Sequence, residues 1–390
     1  MTKNELSRRG FLKAGGVLSL LVVGGAVFRL EDQGVFSVGE GPAYAPWHSL
    51  GLSGATSPIN LVRAAVLAAN AHNTQPWLFH VTEREISVYA DTSRNIGAMD
   101  SLHREMYISL GCAIENMCIA AAPCGCSINI ELMPDPANSA FVAHALLTPE
   151  ASRPSELYGA IPRRHTDRSG FNRLRPVTEE TLDKLSTEVT SPNTQLTWYA
   201  APNERRRVGL QTVDATLAIV NDKAMSRSSS HWYRSNWSDI QKYRDGITMD
   251  AQGMSPFITV LGKMAPALSE SQADSIWLQN TRDIQTATAG AYGVISISDF
   301  SRKEQLLEAG RLWQRLHLAA TLSGMAMQPL NQIVERADRE IQLTLSPQFG
   351  NVLQEFAGAK PRRGVFIFRI GYPVQMPLPS PRRSAEQVLI

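Results

Sequence analysis

Between Pro58 and Ala69 apolar residues return every three or four positions, with Ile59, Val62, Ala65, Val66 and Ala69 on one stripe, a spacing that predicts a helix. Pro76 cannot continue it. The segment Asn70-Ala71-His72-Asn73-Thr74-Gln75-Pro76-Trp77 therefore reads as a turn, with Asn73 suited to backbone conformations that most residues avoid. The period then drops to two, and Leu78 to Val81 with Glu85 to Ala90 predicts a pair of strands. A long helix from about Ser101 to Ala122 follows, then a strand over Ser127–Met133, closed by Pro134-Asp135-Pro136. Further strands are predicted near 196–201, 288–297 and 365–371, and further helices over 204–219 and 305–321. The stretch from Ser226 to Asp250 is polar, aromatic-rich and of mixed period, and reads either as a lid or as ordinary helix packing.

The two longest helical patterns are related. Gly111 to Gly125 lies on Gly310 to Gly324 without a gap, so that the opening glycine, an Ala-Ala pair and the closing glycine coincide. Asn73-Thr74-Gln75 likewise has a counterpart in Asn193-Thr194-Gln195, again ahead of a strand. Self-similarity of this kind predicts an internal duplication.

With 390 residues, 43% of them hydrophobic, the chain is long enough for a full core or two fused half-domains. A net charge of +2 is too balanced to mark a nucleic-acid partner. Only eight of the 38 basic residues are lysine, and the planar fork of arginine favours oxyanions and buried pairs. Arg163, Arg164 and Arg168 fall within six residues, just before the helix start Pro176-Val177-Thr178-Glu179-Glu180. Such a cluster is either a solvated basic loop or, where the forks converge, a seat for a phosphate dianion. Cys112, Cys118, Cys124 and Cys126 match no zinc-ligand spacing and read as small core residues, with a disulfide open to them only in an exported chain.

The N-terminus carries its own signal. Ser7-Arg8-Arg9-Gly10-Phe11-Leu12-Lys13 matches the twin-arginine export pattern, and the apolar run from Ala14 to Phe28 follows it. As a helix that run spans roughly 22 Å, short of the roughly 30 Å hydrocarbon core, so it reads as a secretory segment rather than a membrane span. Residues 1–45 are thus expected to be signal and linker. The expected partner is the twin-arginine machinery and the expected location periplasmic or otherwise extracytoplasmic, with the signal either cleaved or kept as an anchor. That route carries folded proteins, which suits a chain that takes up a cofactor before export.

Two of these motifs carry a family resemblance. Ala71-His72-Asn73-Thr74-Gln75-Pro76-Trp77 resembles the Pro-Ser-x-x-Asn-x-Gln-Pro-Trp signature of FMN-dependent nitroreductases, and Arg163 to Phe171 resembles their Arg-Arg-Ser-x-Arg-x-Phe signature. In that family the arginine motif comes first; here the order is inverted. The resemblance, with the repeat, implies an α+β nitroreductase-like sandwich of two homologous halves fused in one chain. The halves are expected at 46–150 and 151–390, with a lid insertion at about 221–260, as a monomer acting as an internal pseudo-dimer. It also implies FMN as cofactor. Arg163, Arg164, Thr166, Arg168 and either Arg382 or Arg383 would hold its phosphate, while His72, Asn73, Thr74 and Gln75 would lie along the ring, and Gln328, Pro329 and Leu330 at its reactive edge. Only one of the two symmetry-related sites keeps both motifs, so one FMN per chain is expected. His72 and His165 titrate near neutrality as free side chains, yet within these motifs they read as positioning groups, and no residue is assigned as catalytic. The implied activity is hydride transfer from flavin to a nitroaromatic, quinone or similar small acceptor; the alternative is a lidded flavin-holding protein with little NAD(P)H-dependent turnover.

Overall fold

The computed structural model describes residues 30–50, 57–358 and 361–390. The twin-arginine motif and the apolar run after it lie outside the described residues. Among the described residues ten strands follow one another: β1 (Trp77–Val81), β2 (Glu85–Ala90), β3 (Cys126–Leu132), β4 (Phe141–Pro149), β5 (Thr194–Tyr199), β6 (Tyr233–Arg234), β7 (Ile247–Thr248), β8 (Ala291–Ile297), β9 (Ala326–Pro329) and β10 (Arg363–Gly371). The helices that matter below are α1 (Ile59–Ala65), α2 (Arg104–Ala121), α3 (Glu156–Ala160), α4 (Glu179–Ser186), α5 (Pro202–Asn221), α6 (Lys223–Ser230), α7 (Trp237–Tyr243), α8 (Pro256–Met264), α9 (Glu270–Asn280) and α10 (Lys303–Leu322). The class is α+β, as expected.

Two antiparallel four-stranded sheets result, in the orders β1-β2-β4-β3 and β5-β8-β10-β9, while β6 and β7 form a separate short parallel ribbon. Numbered within its own sheet, each has the order first-second-fourth-third, and each has its long helix between the second strand and the third. Helix α2 is buried on nearly every face, as its run of apolar and small residues requires, and α10 packs across it. The turn that follows each helix holds a left-handed glycine, Gly125 at φ +75° and Gly324 at φ +70°, the two positions that coincide in the sequence repeat.

The crossing itself obeys the repeat. A Cβ on Gly111 would lie 2.1 Å from the carbonyl oxygen of Leu307, and a Cβ on Gly310 would lie 2.0 Å from that of Ile108. Each glycine thus admits the backbone three residues before the other, which is the reciprocal pattern of a two-fold contact. Beyond the crossing, Glu115 takes Arg311 at 2.7 Å and Arg315 at 2.6 Å, and Gln314 donates to Asn116 at 2.8 Å.

The sequence counterpart of the first turn behaves differently. Thr194 and Gln195 already belong to β5, and Asn193 donates to Glu308 at 3.0 Å instead of shaping a left-handed turn. Strand β4 was not anticipated, and the strand expected from 288 begins at Ala291. The four cysteines carry free thiols; Cys112 and Cys124 are buried, as the core reading requires. No helix among the described residues is long and apolar enough to cross a membrane.

Candidate functional site

The turn after α1 holds three non-glycine residues at positive φ: His72 at 48°, Asn73 at 56° and Gln75 at 54°. Such backbone persists only where the surroundings fix it. Here they do so from three directions. Asn70 Oδ1 accepts the Gln75 N–H at 2.8 Å, Asn73 Nδ2 donates to the carbonyls of Gly246 and Pro381 at 3.1 and 2.8 Å, and Gln75 Nε2 donates to that of Arg244 at 2.8 Å. The segment expected as a lid therefore packs directly on the turn through Arg244 and Gly246. Thr74 is held through its carbonyl, which accepts from Arg94.

Two guanidinium groups converge beside this turn. Arg164 donates to the Leu67 carbonyl at 3.2 Å and faces His317 Nδ1 at 3.4 Å; Arg382 donates to the Ala68 carbonyl at 3.2 Å, to Pro381 O and to Asn73 Oδ1. Both are buried, and both leave Nε without an acceptor. Among the described residues neither has a carboxylate within ion-pair reach. Burial pulls Arg164 down to about 10, and burial, reinforced by Arg164, lowers Arg382 as well. Removing a cation from water without a counter-charge costs several kcal/mol. Buried polar atoms without partners are rare, and His165 Nδ1 and His317 Nε2 add two more at the same place. The His165 ring stands edge-on to Trp47 at 4.6 Å, and the Arg382 guanidinium lies 4.9 Å from the Trp47 ring centre.

A cavity of about 50 Å³ opens between the turn and the central helices, with Asn70, Ala71, Thr166, Cys112, Trp313 and Pro329 on its walls. It joins the first motif, the arginine loop and the segment after α10, residues far apart in the chain.

Several expected site residues are placed elsewhere. Arg163 is exposed and bonds back to the Gly159 carbonyl at 3.2 Å, because one step along a tight turn sends it to the side opposite Arg164. Arg168 stays near the turn, close enough to repel a proton on His72, but its side chain donates to the Ala251 carbonyl at 3.1 Å. Gln328 Oε1 is taken by Arg369 at 2.7 Å, and Leu330 is a core residue whose N–H meets Ile367 O, so of that trio only Pro329 reaches the cavity. Arg383 is occupied by the carbonyls of Gln75 and Trp77, which leaves Arg382 as the tail arginine beside Arg164. Arg369 was missed. Wholly buried in β10, it ties Ser169 O at 2.6 Å, Thr288 Oγ1 at 3.1 Å and Gln328 together, and a lone arginine in the apolar run Val365–Ile370 was its signal.

The histidines do not titrate near neutrality. Burial, with Arg168 adding repulsion, lowers His72 to about 4, and burial, with Arg164 and Arg382 adding theirs, lowers His165 to about 3. Both are therefore neutral at pH 7. In phosphate-free buffer the imidazole nitrogen shifts of both are expected to stay constant between pH 5.5 and 8 by NMR; a midpoint above pH 6 at either would contradict the buried, cation-flanked setting.

No family model matches the chain. Among curated proteins, the Mycobacterium tuberculosis protein provisionally named NAD(P)H nitroreductase Rv3131 is 24% identical over 361 residues, covering 90% of this chain and 95% of its own. Acg of the same organism, also provisionally named an NAD(P)H nitroreductase, is 23% identical over 338 residues, covering 84% and 93%. The similarity is to nitroreductases. Among solved structures, the FMN-dependent nitroreductase NfnB from Mycobacterium smegmatis covers 59% of this chain and 97% of its own at 15% identity, with a TM-score of 0.37.

Proposed function

We propose that this chain is an FMN-dependent oxidoreductase of the nitroreductase kind, passing a hydride to a small acceptor such as a nitroaromatic or a quinone. One observation carries the reading: Arg164 and Arg382 are buried side by side with no carboxylate in reach among the described residues, at the place where the two family-like motifs meet. A dianionic phosphate is the counter-charge that this pair lacks, and each guanidinium has an Nε free to donate to it. The donor set therefore fits the phosphate end of FMN. At about 50 Å³ the neighbouring cavity is smaller than the roughly 300–1,000 Å³ of small-molecule pockets, so the ring end must widen on binding.

Bound FMN would supply the two-electron redox chemistry. The chain's own part is positioning. Arg164 and Arg382 neutralise the phosphate, the left-handed turn at His72, Asn73 and Gln75 presents backbone groups, and Thr166 and Pro329 wall the ring side. Trp47 covers the Arg382 guanidinium. Bleaching of the flavin band by NAD(P)H in stopped-flow, with dithionite as the control reductant, tests turnover; bleaching by dithionite alone would favour a flavin-holding protein instead.

The identical strand orders and the reciprocal glycine crossing support reading the chain as two fused halves, an internal pseudo-dimer. In that reading the second symmetric position is filled by the chain itself, through Glu115 with Arg311 and Arg315 and through Asn193 with Glu308. Titration of flavin-free protein should therefore saturate at one FMN per chain. Saturation at two would show that the second position also binds.

A further inference from the structure

The described chain begins with the buried Leu30 and the exposed acidic Glu31 and Asp32, and exposed apolar side chains stand on α8 close by. Helix α8 turns Lys263 inward, where its ammonium meets Asp250 at 2.8 Å and the Gly34 carbonyl at 3.4 Å. Its other side presents Phe257, Ile258 and Leu261 to solvent, with Leu268 just beyond. Gln375 donates to the Gly253 carbonyl at 2.9 Å, which brings the exposed Val374 and Met376 alongside the start of α8. Between Gly253 and Ser269 the sole charged residue is the buried Lys263, and Tyr372 to Leu378 has none. Exposed apolar side chains gathered on one helix and the segment bonded to its start mark an interaction site rather than chance exposure.

The position of this face names the occupant. Leu30 and Val35 are buried and joined by a backbone bond of 3.0 Å, and Gly34 between them rests on Lys263, so the chain upstream of Leu30 leaves the fold beside α8. Immediately upstream stands the apolar run Ala14 to Phe28, preceded by Arg8, Arg9 and Lys13.

We propose that Phe257, Ile258, Leu261, Leu268, Val374 and Met376 form a membrane-surface docking face that lies on a lipid bilayer, close to where the described chain begins. A run of roughly 22 Å is short for a span, and a single weak anchor binds reversibly, whereas two apolar contacts side by side hold a protein on the surface. The full chain should float with phosphatidylcholine vesicles, and the pair Phe257→Asp, Leu261→Asp should lower its partition coefficient at least tenfold with circular dichroism unchanged. A Phe257→Trp variant should show extra fluorescence quenched by lipids brominated on the acyl chain, relative to the parent protein. Vesicle binding unaffected by the aspartates, with no added quenching, would leave the run as the only anchor and overturn the docking face. A solution dimer by light scattering that the aspartates dissolve would overturn it in favour of a contact between copies. None of these readouts depends on bound flavin.

Discussion

Arg382→Ala and Arg164→Ala proteins are each expected to leave purification without flavin, and to bind added FMN at least a hundredfold more weakly than the parent. A hydrogen bond to a charged partner contributes about 1.5–3 kcal/mol, and a guanidinium facing a dianion in a water-poor setting lies at the upper end, about 2.7 kcal/mol for a hundredfold change. The flavin-free variants should remain folded. Arg382 gives up bonds to Ala68, Pro381 and Asn73, but the fold also sheds a buried cation with no counter-charge, and the two effects oppose each other. Arg382→Lys separates charge from geometry: a point charge keeps part of the attraction and loses the fork, so affinity should fall between the parent and the alanine variant. Arg163→Ala is the internal control. Its side chain is exposed and turned away, so FMN affinity should change less than twofold. Equilibrium fluorescence titration reads all four. Unaltered flavin content in Arg382→Ala and Arg164→Ala would remove the phosphate assignment, whereas a large loss in Arg163→Ala would mean that the loop rearranges on binding.

That contrast between neighbouring arginines shows where the sequence is informative. Period and punctuation made the two long helices and most strands legible, because a buried helix such as α2 writes its environment along its whole length. The turn and the arginine loop were legible as motifs. Which arginine faces inward was not, since Arg163 and Arg164 differ only by one step in a tight turn, and only the assembled fold brings Arg164 to His317 of α10. The choice of Arg382 over Arg383 depends on where Ala68 and Gln75 lie in space. Arg369 and the Arg104–Asp338 pair, 2.6 Å apart and 234 residues distant in sequence, are visible only once the sheets are assembled. Asn193-Thr194-Gln195 matched the first turn in letters, but without the Asn70, Gly246 and Pro381 partners nothing holds its backbone left-handed. The insertion defeated periodicity because α6, α7 and α8 are short and bury little.

Gly111→Ala and Gly310→Ala should each destabilise the protein by about 3–5 kcal/mol. Two terms compete. Alanine in a helix interior gains about 1 kcal/mol over glycine through backbone entropy. Against it, the new Cβ would stand 2.0–2.1 Å from a carbonyl oxygen of the facing helix, and a backbone oxygen cannot rotate aside as a side chain would. The helices must part, which opens voids along the most buried seam in the fold and perturbs the cavity, whose walls include Ile108, Cys112 and Trp313 around that crossing. Because either methyl group forces the same separation, the double variant should cost clearly less than the sum of the two. Gly159→Ala calibrates the entropy term, since a Cβ there meets nothing within 4 Å, and it should leave stability unchanged or raise it by up to about 1 kcal/mol. Chemical denaturation of the four proteins under one set of conditions decides the matter: a Gly111→Ala chain as stable as its parent would mean that α2 and α10 are free to slide apart, and the reciprocal contact on which the two-half reading leans would be lost.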